Sequence, residues 1–229
     1  MPFCKKCLKD FTLKGFHSLF NKNICLCYEC FKDFNPKFIK FKHENISCLA
    51  IYEYKDNIKS LLYQLKACYD YELKDIFFTY YKEEIKLIYR DYLLVPIPSS
   101  KEDNMERGFN HVQAIFSFFD RKMYDFLYKK YNMKQSKLNK EERKNIVNVF
   151  AINDASYIRG KKVLIIDDVY TTGSSLHAAI KLLEKYHPKV IKALFLSKNV
   201  KKINKNVDNW WTFVCDNNSK FALIRIDLI

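Results

Sequence analysis

Residues 163–175, VLIIDDVYTTGSS, constrain the fold more than any other stretch of this 229-residue chain. Apolar β-formers, two adjacent carboxylates, a Thr-Thr-Gly-Ser-Ser turn and then an amphipathic run predict a buried strand that passes through a tight turn into a helix. The carboxyl end of such a strand is where open α/β sheets bind ligands. Asp167 and Asp168 can accept hydrogen bonds from the vicinal hydroxyls of a ribose and favour positive charge on its ring. Thr171, Thr172, Ser174 and Ser175 supply hydroxyls, while Gly173, one of four glycines in the chain, allows close backbone approach. The helix amino terminus that follows favours a phosphate. The simpler reading of Asp-Asp plus Ser/Thr is a strand end and a helix cap. A nucleoside triphosphatase's acidic strand is excluded, because no G-x-x-x-x-G-K-[ST] loop occurs anywhere in the chain.

The flanking text supports an α/β domain with a parallel sheet. A strand at 162–166, an amphipathic helix at 175–186 and a strand at 190–196 make a β-α-β unit, whose crossover is right-handed. Upstream, residues 46–54 (ISCLAIYEY) read as a buried strand, and Ile58, Leu61, Leu62 and Leu65 then follow helical spacing. A second helix is expected over 71–88, a strand closed by two prolines over 92–98, and a helix over 108–131. The loop at 95–110, VPIPSSKEDNMERGFN, carries Lys101 and Arg107, which suit a diphosphate; a solvated basic turn is the competing reading. Residues 134–148 are polar and basic and read as a surface segment. The tail 201–229 reads as an edge strand or a partner contact.

Five of eight cysteines fall within the first 30 residues. Cys4-x-x-Cys7 and Cys27-x-x-Cys30 are separated by 19 residues, the spacing of a four-thiolate zinc site. Residues 1–44 therefore read as a small zinc module folded around metal rather than around a core, with a boundary near 42–45 and a main domain over 45–200. Cys25 competes with Cys27 for the fourth place, and His17 or His43 are further candidates; regular spacing favours Cys27. Cys48, Cys68 and Cys215 read as buried apolar residues.

The composition, 48% hydrophobic and 29% charged, is that of a globular protein. The formal net charge of +14 suits a polyanion such as nucleic acid, although lysines scattered along the chain fit a general basic bias equally well. The start does not resemble a secretory signal and no run approaches the roughly 18 apolar residues of a membrane span, so a cytoplasmic protein is expected.

The thirteen-residue string resembles the phosphoribosyl pyrophosphate signature of type I phosphoribosyltransferases. The order of cysteine knuckle, Leu65-Lys66, VPIPSS…ERGFN, QSKLNKEERKNIVNVF and VLIIDDVYTTGSS resembles the ComF family of competence-associated proteins over roughly residues 4–198. One departure is local: where that family carries Gly-Asp after Leu-Lys, this chain has Ala67-Cys68-Tyr69-Asp70. The resemblance implies a type I phosphoribosyltransferase fold behind a zinc finger. It implies Asp167 and Asp168 on the ribose, residues 171–175 on the 5-phosphate, Arg107 or its neighbours on pyrophosphate, and Mg²⁺ bridging diphosphate and ribose oxygens. It also implies a part in DNA uptake during natural transformation, with single-stranded DNA and DNA-uptake or helicase proteins as partners. The rival reading is a nucleotide-salvage phosphoribosyltransferase acting on a free base.

Overall fold

The computed structural model describes residues 2–12, 24–129 and 150–200. Strands β1 (Ile39–His43), β2 (Ile46–Glu53), β3 (Tyr92–Pro96), β6 (Lys162–Tyr170) and β7 (Val190–Lys198) form one sheet in the order β1-β2-β7-β6-β3. Only the β1-β2 pair is antiparallel. Strands β4 (Leu127–Lys129) and β5 (Phe150–Ile152) form a separate antiparallel ribbon. The helices are α1 (Tyr28–Lys32), α2 (Asp56–Ala67), α3 (Lys82–Ile88), α4 (Lys101–Arg107), α5 (His111–Ile115) and α6 (Ser174–Leu183).

A parallel sheet needs both faces covered, and alternation along β6 divides its side chains between two cores. Val163 and Ile165 pack with Leu176, Ala179, Ile180 and Leu183 of α6. Leu164 and Ile166 join the cluster that holds Ile58, Leu61, Leu62 and Leu65 of α2. Removing each of those leucines from water contributes roughly 1.5–3 kcal/mol.

The same cluster takes in Cys4, Leu26, Cys27, Cys30 and Phe34, so the knuckle is seated in the main core. This differs from the expectation of a module folded around metal alone. Hydrogen bonding also carries the sheet across the boundary expected near 42–45, since Ile39↔Ala50 through His43↔Ile46 pair β1 with β2.

Two expected helices are shorter than their patterns suggest. Over 71–88 the chain makes a 3-10 turn, Tyr71–Asp75, and only then α3. Between them Ile76, Phe77, Phe78 and Tyr80 are all buried, and polar groups there bond across the fold: Tyr52 donates to the Phe77 carbonyl (2.6 Å) and Tyr80 to the Leu26 carbonyl (2.9 Å). Over 108–129, the described part of the range expected to be helical to 131, the helical pieces are α5 and a 3-10 turn, Ser117–Phe119. Asp120 takes a left-handed conformation (φ 51), and Arg121 next to it donates to the carbonyls of Tyr89 and Arg90, which turns the chain toward β4. Residues 134–148, the tail from 201, His17 and Cys215 lie outside the described residues. Among the described residues no helix is long and apolar enough to cross a membrane.

Candidate functional site

The acid pair lies inside a strand rather than at its end. β6 runs on through Tyr170, and its pairing with β7 continues to Tyr170↔Lys198, but its pairing with β3 stops at Pro96↔Ile166. β3 ends in a proline, which cannot donate to a ladder, and the chain leaves toward α4. Among the described residues no strand pairs with the β3 side of β6 from Asp167 onward, and this step in the sheet creates the site.

Alternation sends the two carboxylates to opposite faces. Asp168 lies on the α2 and α5 side, 6% exposed, ion-paired through Oδ2 with Nζ of Lys66 at the end of α2. Its Oδ1 is 3.7 Å from Nε2 of buried His111. Nδ1 of His111 is 3.0 Å from Nη1 of Arg107, and Nε of Arg107 donates to the Lys66 carbonyl (3.0 Å), closing a ring of Lys66, Asp168, His111 and Arg107. A guanidinium only donates, so Nδ1 of His111 is the acceptor and its proton sits on Nε2, facing Asp168.

The charges agree with that tautomer. Burial lowers the His111 pKa, and the nearby Lys66 and Arg107 charges add to this against the opposing pull of Asp168; the net lowering favours the neutral ring. Burial by itself would raise the Asp168 carboxyl, but the Lys66 ammonium and the His111 ring hold it below the usual carboxylate range. Asp167 goes the other way: burial first, and the Asp168 charge second, push it well above that range. Its Oδ1 accepts from the Asp168 backbone N–H at 2.9 Å.

The turn after β6 is shaped by Gly173. Its φ of +83 is a conformation that L side chains rarely adopt, and a Cβ there would meet Cε1 of His43 at 2.6 Å and the Tyr170 hydroxyl at 2.7 Å. Thr171, Thr172, Ser174 and Ser175 are exposed. The Thr172 and Ser174 hydroxyls lie 2.9 Å apart, and the Ser174 N–H points to Thr172 Oγ1 at 3.4 Å. Gly173 has no side chain to cap α6, which leaves the helix amino terminus for another acceptor.

The structure thus brings Arg107 to Asp168 but not Lys101, which starts α4 six residues earlier, about 9 Å along the helix, and is exposed. Ser100 caps α4 by accepting from the Asp103 N–H, and Gly108 (φ 82) ends it, which sets the position of Arg107. Sequence reasoning missed His111 and used Lys66 only as a marker. The signal available was a histidine four residues after Arg107, in a chain with five histidines. In the Ala67-Cys68-Tyr69-Asp70 stretch after Leu65-Lys66, Tyr69 takes φ 59, and the Cys68 and Asp70 N–H groups both close on the Gln64 carbonyl.

At the other pole, Cys4, Cys7, Cys27 and Cys30 converge, each offering a sulfur within 4.8 Å of the others, and could hold a metal. Cys25 is excluded: its backbone N–H and Sγ both face Thr79 Oγ1, at 3.2 and 3.7 Å. His43 is also excluded from this shell, since its Nδ1 lies 3.0 Å from the Tyr170 hydroxyl beside α6. Burial raises the Cys4 thiol, but hydrogen bonds from the backbone of Cys27, Cys7 and Lys6 outweigh it and bring the thiol down to about 7. Four free cysteines in this arrangement suit a tetrahedral thiolate ion. Cys48 is buried as expected, whereas Cys68 is exposed at the end of α2.

A family model for the phosphoribosyl transferase domain matches residues 107–227, more than half of the chain, and runs on into the residues read as a tail. Competence protein ComFC of Bacillus subtilis (strain 168) is 37% identical over 139 residues, 59% of this chain and 58% of that protein's length. Competence protein ComFC of Streptococcus pneumoniae (strain ATCC BAA-255 / R6) is 33% identical over 151 residues, 66% of this chain and 68% of that protein. Among solved structures, a hypoxanthine phosphoribosyltransferase from Staphylococcus aureus aligns loosely, with a TM-score of 0.37 and 18% identity over 59% of this chain and 71% of that one. The open-edged parallel sheet, the turn into α6 and these relatives together place the chain in the ComF family of proteins with a type I phosphoribosyltransferase fold.

Proposed function

We propose that this protein binds phosphoribosyl pyrophosphate at the open edge of β6 and takes part in DNA uptake during natural transformation. The observations that carry the ligand are a held carboxylate on β6, the cations that α2 and α4 place around it, and the helix amino terminus that follows the turn after β6. Asp168, kept ionised by Lys66 and His111, accepts from ribose hydroxyls, and Asp167, on the other face of β6, can reach the ribose only from the far side of the strand. The hydroxyls of Thr171, Thr172, Ser174 and Ser175 and the amino end of α6 take the 5-phosphate across Gly173. Arg107, whose Nη2 has no partner among the described residues, faces the diphosphate together with Lys66, and Lys101 lies farther out. The Asp168 carboxylate is a hard oxygen donor of the kind that suits Mg²⁺, which when bound would offset diphosphate charge. Zn²⁺ is the ion for the four thiolates.

The relatives named competence proteins and the net charge of +14 support a part in handling single-stranded DNA in the cytoplasm, alongside DNA-uptake or helicase proteins. An aromatic ladder supports it too. Tyr124 stacks between Phe126 (5.4 Å) and the half-exposed Tyr157 (5.3 Å), with Lys122 over Tyr124 and Lys161 over Tyr157. Such stacks with adjacent cations suit unpaired bases.

Calorimetry with phosphoribosyl pyrophosphate and Mg²⁺ tests the ligand: binding is expected in the wild type and at least tenfold weaker in Asp168→Asn, and no heat in the wild type overturns the reading. Fluorescence anisotropy with a labelled oligonucleotide tests the partner. Affinity should fall steeply with salt, and salt-insensitive or absent binding removes the DNA part.

A further inference from the structure

We propose that His43, Glu44 and His177 form a second metal site, for a divalent first-row ion such as Zn²⁺, where the β1-β2 hairpin meets the first turn of α6. One ligand atom from each of the three lies within 4.8 Å of the others. An ion equidistant from three donors at that outer separation would be about 2.8 Å from each, so small side-chain shifts inward bring all three to the usual 2.0–2.2 Å bond to nitrogen or oxygen.

The three residues come from places the fold holds firmly. His43 closes β1 opposite Ile46, and Glu44 forms the hairpin tip in a left-handed conformation (φ 54). His177 belongs to the first turn of α6, where its N–H donates to the Gly173 carbonyl at 2.8 Å. An ordinary surface pair explains part of the cluster, because Glu44 Oε1 contacts Nδ1 of His177. It does not explain His43. Nδ1 of His43 lies 3.0 Å from the Tyr170 hydroxyl, whereas its Nε2 is buried with no hydrogen-bond partner among the described residues. A buried imidazole nitrogen left without a partner destabilises the fold unless something binds it.

A metal resolves this. The Tyr170 ring is wedged between Phe41 (4.6 Å) and Phe195 (5.2 Å), which holds its hydroxyl beside Nδ1 of His43, where it can accept from Nδ1–H. With Nδ1–H donating to that oxygen, Nε2 is the lone-pair donor, the arrangement by which metal-binding histidines are oriented. Two imidazoles and one carboxylate leave a coordination position open, unlike the closed four-thiolate site. Because His43 packs directly on Gly173, the ion's charge falls beside the turn that the preceding reading gives to the 5-phosphate. Metal binding itself does not depend on that reading.

The test is metal content of the untagged full-length chain at saturating Zn²⁺, with Co²⁺ substitution to tell the sites apart. The wild type should hold two ions per chain and His177→Ala one, with the thiolate-to-cobalt charge-transfer band retained and the weaker nitrogen/oxygen-site absorption lost. Tyr170→Phe should weaken the second ion about 10- to 100-fold, and Glu44→Gln at least tenfold. A wild-type chain that takes one ion at saturation, or a second ion held equally well by His177→Ala, overturns the proposal.

Discussion

The cysteine knuckle and the turn from β6 into α6 both gather polar groups at a bend, but different forces hold them in place. Among its described residues the knuckle has one helix of five residues, and four sulfurs from two Cys-x-x-Cys pairs converge in it and could hold a metal. Its apolar side rests on the Tyr52, Phe77 and Tyr80 part of the core. The β6-α6 turn has a continuous ladder to β7 on one side and α6 packed beneath it, so its geometry survives without any ligand. If the four sulfurs hold the proposed ion, the knuckle should respond to its removal, whereas a turn held by a sheet should respond to steric or charge changes.

The largest effect expected follows from that difference. Stripping the metal with a chelator, or Cys4→Ser, should cost about 4 kcal/mol or more and lower Tm by about 10 °C, measured by thermal unfolding. Unchanged melting would mean that the apolar seat alone holds the knuckle, and the contrast would fail.

Next in size is Gly173→Val, with roughly 2–3 kcal/mol expected from the positive φ and the Cβ contact with His43. Urea unfolding measures the loss, and the thiolate metal should stay bound. A variant as stable as the wild type would show that the turn relaxes freely, unlike the rest of the sheet edge.

Asp168→Asn should be smaller, about 1–2 kcal/mol at neutral pH, below the range for a fully buried pair because the Lys66 side chain is 33% exposed. The sign with pH is definite. Asp168 has a folded pKa below its unfolded value, so its stabilisation is present above about pH 4 and is lost as pH falls through the folded value. If the wild type and Asp168→Asn show the same acid limb, the ion pair contributes nothing.

The smallest effect belongs to the adjacent carboxylate and has the opposite sign. Asp167 has a raised folded pKa, so it costs stability progressively as pH rises from about 4 through that value. Asp167→Asn keeps an acceptor for the Asp168 N–H and removes the cost, so urea unfolding at neutral pH should find it equal to or more stable than the wild type. A clear loss there would mean that the ionised form is stabilised by a contact outside the described residues.

How much of this was legible varies with the range of the forces. The helix of Ile58, Leu61, Leu62 and Leu65 and the strand of 162–166 were legible because their apolar periods are local. The helices expected over 71–88 and 108–131 came out short because buried aromatics and the Asp120-Arg121 corner bond to distant partners that no local pattern reveals. The cysteine set was readable from its spacing, since each pair is a local knuckle. The exclusion of Cys25 was not, because it depends on Thr79, 54 residues away.

The sequence by itself determined the strand-acid-turn-helix string, the two Cys-x-x-Cys pairs and the α/β class, because covalent spacing decides which groups share a knuckle, a strand end or a helix face. Only the tertiary structure decided that Asp168, and not Asp167, is held as the carboxylate, since Lys66 and His111 reach one face of β6 and not the other. Only it brought His43 to Gly173 and His177, across more than 120 residues of chain. Charge and burial act through space, so a pKa or a ligand set assembled from separate elements exists only once the sheet has closed them together.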